Sequence, residues 1–232
     1  MKAVILAGGH GTRLRPITYE IPKPLVPVKK KPIIGHLIDF FHTHGIEKTA
    51  ILAGRMHEND FEKWREAWKG EESHGNVEVF YEETPRGTFG GMELLREWLG
   101  NEPFVLTNGD ELKDCNLKEL QEFHAGHDGV GTIWLTEVSN AHEYGVPILD
   151  GHTITEFLEK PENPPSNFIN SGLYIFDPEV FDYADFSRNE VSIERDIFPR
   201  LAREGKLYGH KLEGRWYDCG NLERWEKAIK EW

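Results

Sequence analysis

Apolar residues in the first half of the chain fall into two alternating patterns, short continuous runs and repeats at three- to four-residue spacing. Ala3-Val4-Ile5-Leu6-Ala7 is a run of the first kind and predicts a buried strand over 3–7 that enters a glycine-rich turn. Ile33, Ile34, Leu37, Ile38 and Phe41 recur at helical spacing and predict a helix over 32–44, with Gly45 placed to end it. Strands over 48–53, 77–81 and 104–108 and helices over 57–69 and 89–99 complete the series. Alternation of this kind implies a mostly parallel sheet covered by helices on both faces.

Beyond a helix over 117–125 the pattern changes to strands over 131–137, 146–149, 154–159, 171–177 and 207–211, with a helix over 193–204. This half is expected to lay mixed strands beside the first sheet, and Asn221 to Trp232 to close the chain as an amphipathic helix. No internal repeat or low-complexity linker interrupts the chain, so one domain is expected over 1–232.

Composition narrows the partners. At 232 residues and 38% hydrophobic, the chain can bury one sizeable core. A formal net charge of −13 speaks against nucleic acid and against an anionic membrane surface, both of which call for a basic face. Lys29-Lys30-Lys31 reads as a solvated turn before a helix. The amino terminus starts on a strand, without the charged-then-apolar sequence of a leader, and no apolar stretch reaches membrane-spanning length. A cytoplasmic protein is expected, with Cys115 and Cys219 as reduced thiols.

Chemistry concentrates after the first strand, in Gly8-Gly9-His10-Gly11-Thr12-Arg13-Leu14-Arg15-Pro16 and Pro22-Lys23-Pro24-Leu25. Glycines at 8, 9 and 11 let backbone N–H groups approach an anion, while Thr12, Arg13 and Arg15 add a hydroxyl and two cations. No Gly-Lys-Ser/Thr follows, which excludes a Walker loop, and Leu14 stands where the dinucleotide fingerprint needs its third glycine.

With Pro-Lys-Pro-Leu about ten residues on, Gly-Gly-x-Gly-Thr-Arg-Leu-x-Pro resembles the signature of sugar-1-phosphate nucleotidyltransferases. Similar family segments follow in the family's order: Thr84-Pro85-Arg86-Gly87-Thr88-Phe89-Gly90-Gly91, Asn108-Gly109-Asp110, Tyr144-Gly145-Val146, Glu159-Lys160-Pro161, Asn170-Ser171-Gly172 and Trp216-Tyr217-Asp218-Cys219-Gly220. The resemblance implies a single α/β/α sandwich with a Rossmann-like mixed, mostly parallel sheet. Residues 1–110 would form the nucleotide-binding half, and 111–232 the sugar-phosphate half and closing helix. Many members continue into a left-handed β-helix; the sequence stops before one, so any activity or oligomer surface such a domain provides is expected to be missing.

The implied reaction joins a nucleoside triphosphate to a sugar 1-phosphate, releasing pyrophosphate. Positioning and charge neutralisation dominate such catalysis. By the resemblance, Arg13 and Lys23 are the catalytic cations, on the triphosphate and near the α-phosphate, while Arg15 is a third cation or a surface ion pair. Asp110 and Asp218 are the expected Mg2+ ligands, a count suited to phosphoryl-transfer sites. Asp114 is a weaker candidate, because Asn116 replaces the acidic residue common two places on. Lys160 is assigned to the sugar phosphate, Glu159 and Asn170 to sugar hydroxyls, and Gly145 to close approach of backbone.

Leu6, Gly8, Gly9, Gly11, Thr12, Gly87 and Thr88 are expected to bind the nucleotide, with Arg86 and Phe89 departing from the family's Leu-Gly-Thr-Ala-Gly. Glu82 is placed where a base reader sits, and a carboxylate matches the adjacent N–H donors of guanine, which favours GTP. The expected sugar is mannose 1-phosphate or a heptose relative. A UTP-, dTTP- or CTP-dependent enzyme of the same fold, on a sugar or alcohol phosphate, is the alternative, and a non-catalytic nucleotide-sugar sensor is a third. The tryptophans are expected to pack in the core or on helices. The histidines carry no zinc-type spacing, and His10 stands apart only by its place in the glycine loop.

Overall fold

The computed structural model describes residues 1–68 and 76–232; residue 69, expected to end the second helix, lies outside the described residues. In chain order the first elements are β1 (Lys2–Ala7), β2 (Pro27–Val28), β3 (Lys31–Pro32), α1 (Ile33–Thr43), β4 (Lys48–Gly54), α2 (Glu58–Trp68) and β5 (Asn76–Glu82). The middle comprises α3 (Arg96–Leu99), β6 (Phe104–Asn108), β7 (Glu111–Cys115), α4 (Leu117–Ala125), β8 (Gly131–Glu137), β9 (Gly145–Asp150) and β10 (Thr153–Glu159). Then come β11 (Phe168–Phe176), α5 (Phe198–Arg203), β12 (Leu207–Lys211), β13 (Gly214–Asp218) and α6 (Leu222–Glu231). The large sheet is mixed, in the order β5-β4-β1-β6-β11-β8-β12-β10-β9, with helices on both sides.

The chain divides into two compact units. The first is Met1–Pro85, Thr107–Asp114 and Arg215–Trp232; the second is Arg86–Leu106 and Cys115–Gly214. In the first, β1 pairs in parallel with β4, Ala3 to Thr49 through Ala7 to Ala53, and β4 pairs in parallel with β5. β1 and most of β4 are buried on both faces because helices cover both, whereas the edge strand β5 is mostly half-buried; Ala3, Val4 and Ile5 are buried, as are Ile33, Ile34, Leu37 and Phe41 of α1. The second unit is mixed: β8 is parallel to β12 and antiparallel to β11, and β10 is antiparallel to β9 and β12. Its core is aromatic, with Phe89, Phe104, Phe176, Phe181 and Phe198 buried.

Several local departures from the sequence pattern have physical causes. The helix expected over 89–99 is a 3-10 segment, Gly90–Leu95, followed by the single turn of α3, since Gly90 and Gly91 weaken an α-helical start. The helix expected over 193–204 opens as a π-turn over Ile193–Ile197 and becomes α-helical at Phe198, with Pro199 in its first turn. Three 3-10 turns and the short β2-β3 ribbon separate the glycine loop from α1. Trp134, fully buried on strand β8, packs in the core as expected of the tryptophans.

The ribbon formed by β7 and β13 has no counterpart in the predicted elements. Its charged residues Glu111 and Lys113 are buried, which inverts the rule that charge marks the solvent face. Among the described residues no helix is long and apolar enough to cross a membrane.

Candidate active site

β1 delivers the glycine loop at its carboxyl end. Thr12–Leu14 makes one 3-10 turn, preceded by Gly11 in the left-handed region, and Leu14 is buried while Thr12 and Arg13 face solvent. Thr18, absent from the predicted set, fixes this loop by donating its hydroxyl to the Gly11 carbonyl at 2.7 Å. Arg13 has no ion-pair partner among the described residues, so its guanidinium is available to an anion. Arg15 lies over the Tyr19 ring, 4.9 Å from its centre. Glu82, at the end of β5, is buried beside the loop; a Cβ on Gly8 would sit 2.9 Å from its carboxylate. The Leu6 carbonyl accepts the Gly109 N–H at 2.9 Å, which ties β1 to the Asn108-Gly109-Asp110 turn.

Lys23 and Asp110, far apart in sequence, form a direct ion pair. Burial pushes the Asp110 carboxyl upward, but the Lys23 ammonium and the more distant Lys113 outweigh it and hold it below the ordinary carboxylate value. Asp218 reaches the same place through the backbone, because the N–H of Cys219 donates to the Asp110 carbonyl at 3.0 Å. Its carboxylate is ion-paired with Arg224 and folds over Gly220, where a Cβ would lie 2.6 Å from Asp218 Oδ1. Cys219 is buried between these groups. Its thiol is pushed up to about 12 by burial and by the charges of Asp110 and Asp218, so it is inert as a nucleophile.

Under this pair lies a buried charged network that the sequence patterns left unassigned. Lys113 Nζ is 2.7 Å from Glu111, whose carboxylate also accepts from Asn108 at 3.2 Å and from the Trp216 indole at 3.3 Å. Burial raises the Glu111 carboxyl to about 7 despite the lysine. The one signal available beforehand was the i, i+2 spacing of Glu111 and Lys113, which puts both on one face of a strand. Asp114 faces elsewhere, in an exposed pair with Arg215 at 2.7 Å.

In the second unit, Gly87 adopts φ +81°, and a Cβ there would meet the Val191 carbonyl at 2.6 Å. Thr88 spends its hydroxyl internally: it accepts the Ile193 N–H at 2.8 Å and donates to Glu194 at 3.0 Å. Arg86 pairs with Glu93, and buried Phe89 packs with Phe181 and Phe186. Of the residues expected to meet the sugar phosphate, Gly145 and Glu159 are register partners of β9 and β10, and the Lys160 N–H donates to the Tyr144 carbonyl at 3.2 Å. Lys160 takes φ +51° and its ammonium lies 3.2 Å from Glu159, both side chains exposed. Asn170 sits at a register break in β11, donating to the Tyr174 hydroxyl and accepting from the Gly172 N–H, both at 2.9 Å. Gly145, Glu159 and Lys160 are thus brought together, while Asn170 joins a different strand pairing.

The donors at Asp110 and Asp218 are hard carboxylate oxygens, fitting a divalent cation that phosphates and water complete. Among the described residues no group of three or more His, Cys, Asp or Glu side chains is arranged to hold a metal by itself.

The family model described as nucleotidyl transferase matches residues 2–232. Mannose-1-phosphate guanyltransferase beta-A of Xenopus laevis is 39% identical over 225 residues, 95% of this chain and 61% of that protein. Mannose-1-phosphate guanyltransferase of Saccharomyces cerevisiae is 39% identical over 226 residues, with the same two coverages. The chain therefore spans about three fifths of the length of these curated relatives. Among solved structures, a putative glucose-1-phosphate thymidylyltransferase from Bacillus anthracis superposes with TM-score 0.90 at 27% identity, covering 99% of this chain and 94% of the other. A UDP-glucose pyrophosphorylase complexed with UDP-glucose gives 0.81 at 26%, covering 99% and 97%.

Proposed function

This chain belongs to the nucleotidyl transferase family, and on that premise we propose that it condenses GTP with mannose 1-phosphate to GDP-mannose and pyrophosphate in the cytoplasm. A phosphate oxygen of the sugar 1-phosphate attacks the α-phosphorus, and the bond from that phosphorus to the α,β-bridging oxygen breaks. Arg13, exposed on the glycine loop, binds the β- and γ-phosphates and takes up charge on the leaving pyrophosphate. Lys23 neutralises the α-phosphate from a buried position where its ammonium is already ordered by Asp110.

Asp110 and Asp218 would hold Mg2+, which supplies Lewis-acid charge to the phosphates when bound. Glu82 reads the guanine edge, and the approach of its carboxylate to Gly8 of the glycine loop supports that role, since a carboxylate matches the adjacent N–H donors of guanine. Gly87 and Thr88 shape the base loop through the backbone. Lys160 receives the phosphate of the sugar, with Glu159 and Asn170 on its hydroxyls and Gly145 allowing close approach. Neither nucleic acid nor a membrane is a partner in this reading.

The observation that carries the proposal is the convergence of Lys23, Asp110 and Asp218 in one unit with the glycine loop. Pyrophosphate release tests it, with GTP, UTP, dTTP, CTP and ATP each against mannose-, glucose-, N-acetylglucosamine- and heptose-1-phosphates, and EDTA as control. Release with GTP and mannose 1-phosphate alone is the expected result. Release with a pyrimidine nucleotide instead removes Glu82 as a guanine reader, and nucleotide-sugar binding without release makes the protein a sensor.

A further inference from the structure

Arg224 stands in the first turn of α6, one helix N-terminus away from the Asp218 loop. Its backbone is fixed by the helix cap, since the Arg224 N–H donates to the Asn221 carboxamide oxygen at 2.9 Å. From there its guanidinium pairs with the Asp218 carboxylate, and the two side chains are only 16% and 10% exposed. A pair so placed is poorly screened by water and firmly ordered. Asp110 is paired with Lys23, so each carboxylate of the couple has a cation in contact with it.

The charge balance has a consequence for a divalent ion. Asp110 and Asp218 sum to −2, and Lys23 and Arg224 to +2, leaving the quartet neutral. A divalent ion entering without any release would bring the group to +2, so it must displace cations or arrive with the negative charge of a triphosphate. Lys23 has the α-phosphate to move towards in the proposed reaction. Arg224 competes directly with the metal for an oxygen of Asp218.

We propose that Arg224 is the resident counter-cation of Asp218, a positioning residue that weakens capture of a divalent ion by the aspartate pair until triphosphate is present. The inference rests on Asp110 and Asp218 being the metal ligands. Mn2+ serves as the probe, its binding followed by calorimetry and by loss of the free-ion EPR signal, without substrate or turnover. R224Q should bind Mn2+ about tenfold more tightly than the wild-type chain, the scale of one hydrogen bond to a charged group. R224K should lie between them, and adding a non-hydrolysable GTP analogue should narrow the difference.

A residue that merely orders Asp218 predicts the opposite sign, weaker Mn2+ binding once it is removed. Unchanged or weaker binding in folded R224Q, checked by circular dichroism, overturns the proposal. Should R224Q not fold, R224K carries the test, and affinity equal to wild type overturns it there. Failure of every form to bind Mn2+, with or without nucleotide, removes the metal-ligand reading itself.

Discussion

In the first unit Lys23 and Asp218 keep 9% and 10% of their side chains exposed, whereas in the second unit Lys160 and Glu159 keep 58% and 37%. The first pair of groups is largely buried and held by ion partners, so their positions are set before any ligand arrives. The second is an exposed ion pair of adjacent residues, whose mutual attraction is worth about 0–1 kcal/mol and opens easily for a phosphate. Under the proposed reaction, preorganised charge suits the residues assigned to transition-state stabilisation, and loosely held charge suits those assigned to a sugar phosphate that must enter and leave.

The largest effect that tests this contrast is on turnover. Arg13→Ala and Asp110→Ala should each lower magnesium-dependent pyrophosphate release by at least about a hundredfold, and near-normal turnover in both removes the assigned roles. Gly220→Ala comes next, because its Cβ would meet Asp218 Oδ1 at 2.6 Å. A loss of about 1–3 kcal/mol in urea denaturation is expected from such overpacking, together with weakened Mn2+ binding.

Lys160→Ala in the second unit should act mainly on KM. A rise of about tenfold for the sugar phosphate is expected, since one charged hydrogen bond to ligand is lost. Its melting temperature should stay within about one degree of wild type, as an exposed pair contributes little to folding. A large stability loss instead would show that the exposed pair is structural.

The smallest effect is a pH dependence that belongs to the second unit. Burial pushes His124 to about 4, and His127 is lowered to about 4 by burial and by the neighbouring His124. Their hydroxyl partner, Thr132, lies 2.8 Å from a ring nitrogen of each, and Asp177 lies 3.8 Å from His124. Well above pH 6.5, from about pH 7.5, both are neutral folded or unfolded, and they contribute almost no slope. Between pH 6.5 and 4 the unfolded chain binds more protons, so stability falls as pH falls, by at most about 1.4 kcal/mol per pH unit for each. Denaturant midpoints across that range should show the slope, and His124→Gln should reduce it by about half, because His127 still titrates.

Much of the fold was legible because helices and strands announce themselves by local periodicity. β8, β12 and α4 lie on the predicted boundaries, 131–137, 207–211 and 117–125. The failures cluster where tertiary partners override local preference. Gly90 and Gly91 loosen an apolar repeat into a 3-10 segment, and β7 escapes the hydrophobic pattern because the i, i+2 spacing of Glu111 and Lys113 gives a shared face but not its burial. The candidate site divides in the same way. Arg13, Lys23, Asp110 and Asp218 stand out by motif, while Thr18, Glu111, Lys113 and Arg224 do not.

The sequence by itself determined the element alternation, the glycine loop at the end of β1 and the order of the charged motifs, all of which depend on neighbours a few residues away. Only the tertiary structure decided which charge answers which: Lys23 to Asp110, Arg224 to Asp218 and Lys113 to Glu111. Hydrophobic periodicity records how each residue partitions between water and a core. The state of a charge in the fold is set by burial together with Coulomb partners, and for Asp110 the partner is brought in by the fold from a distant part of the chain.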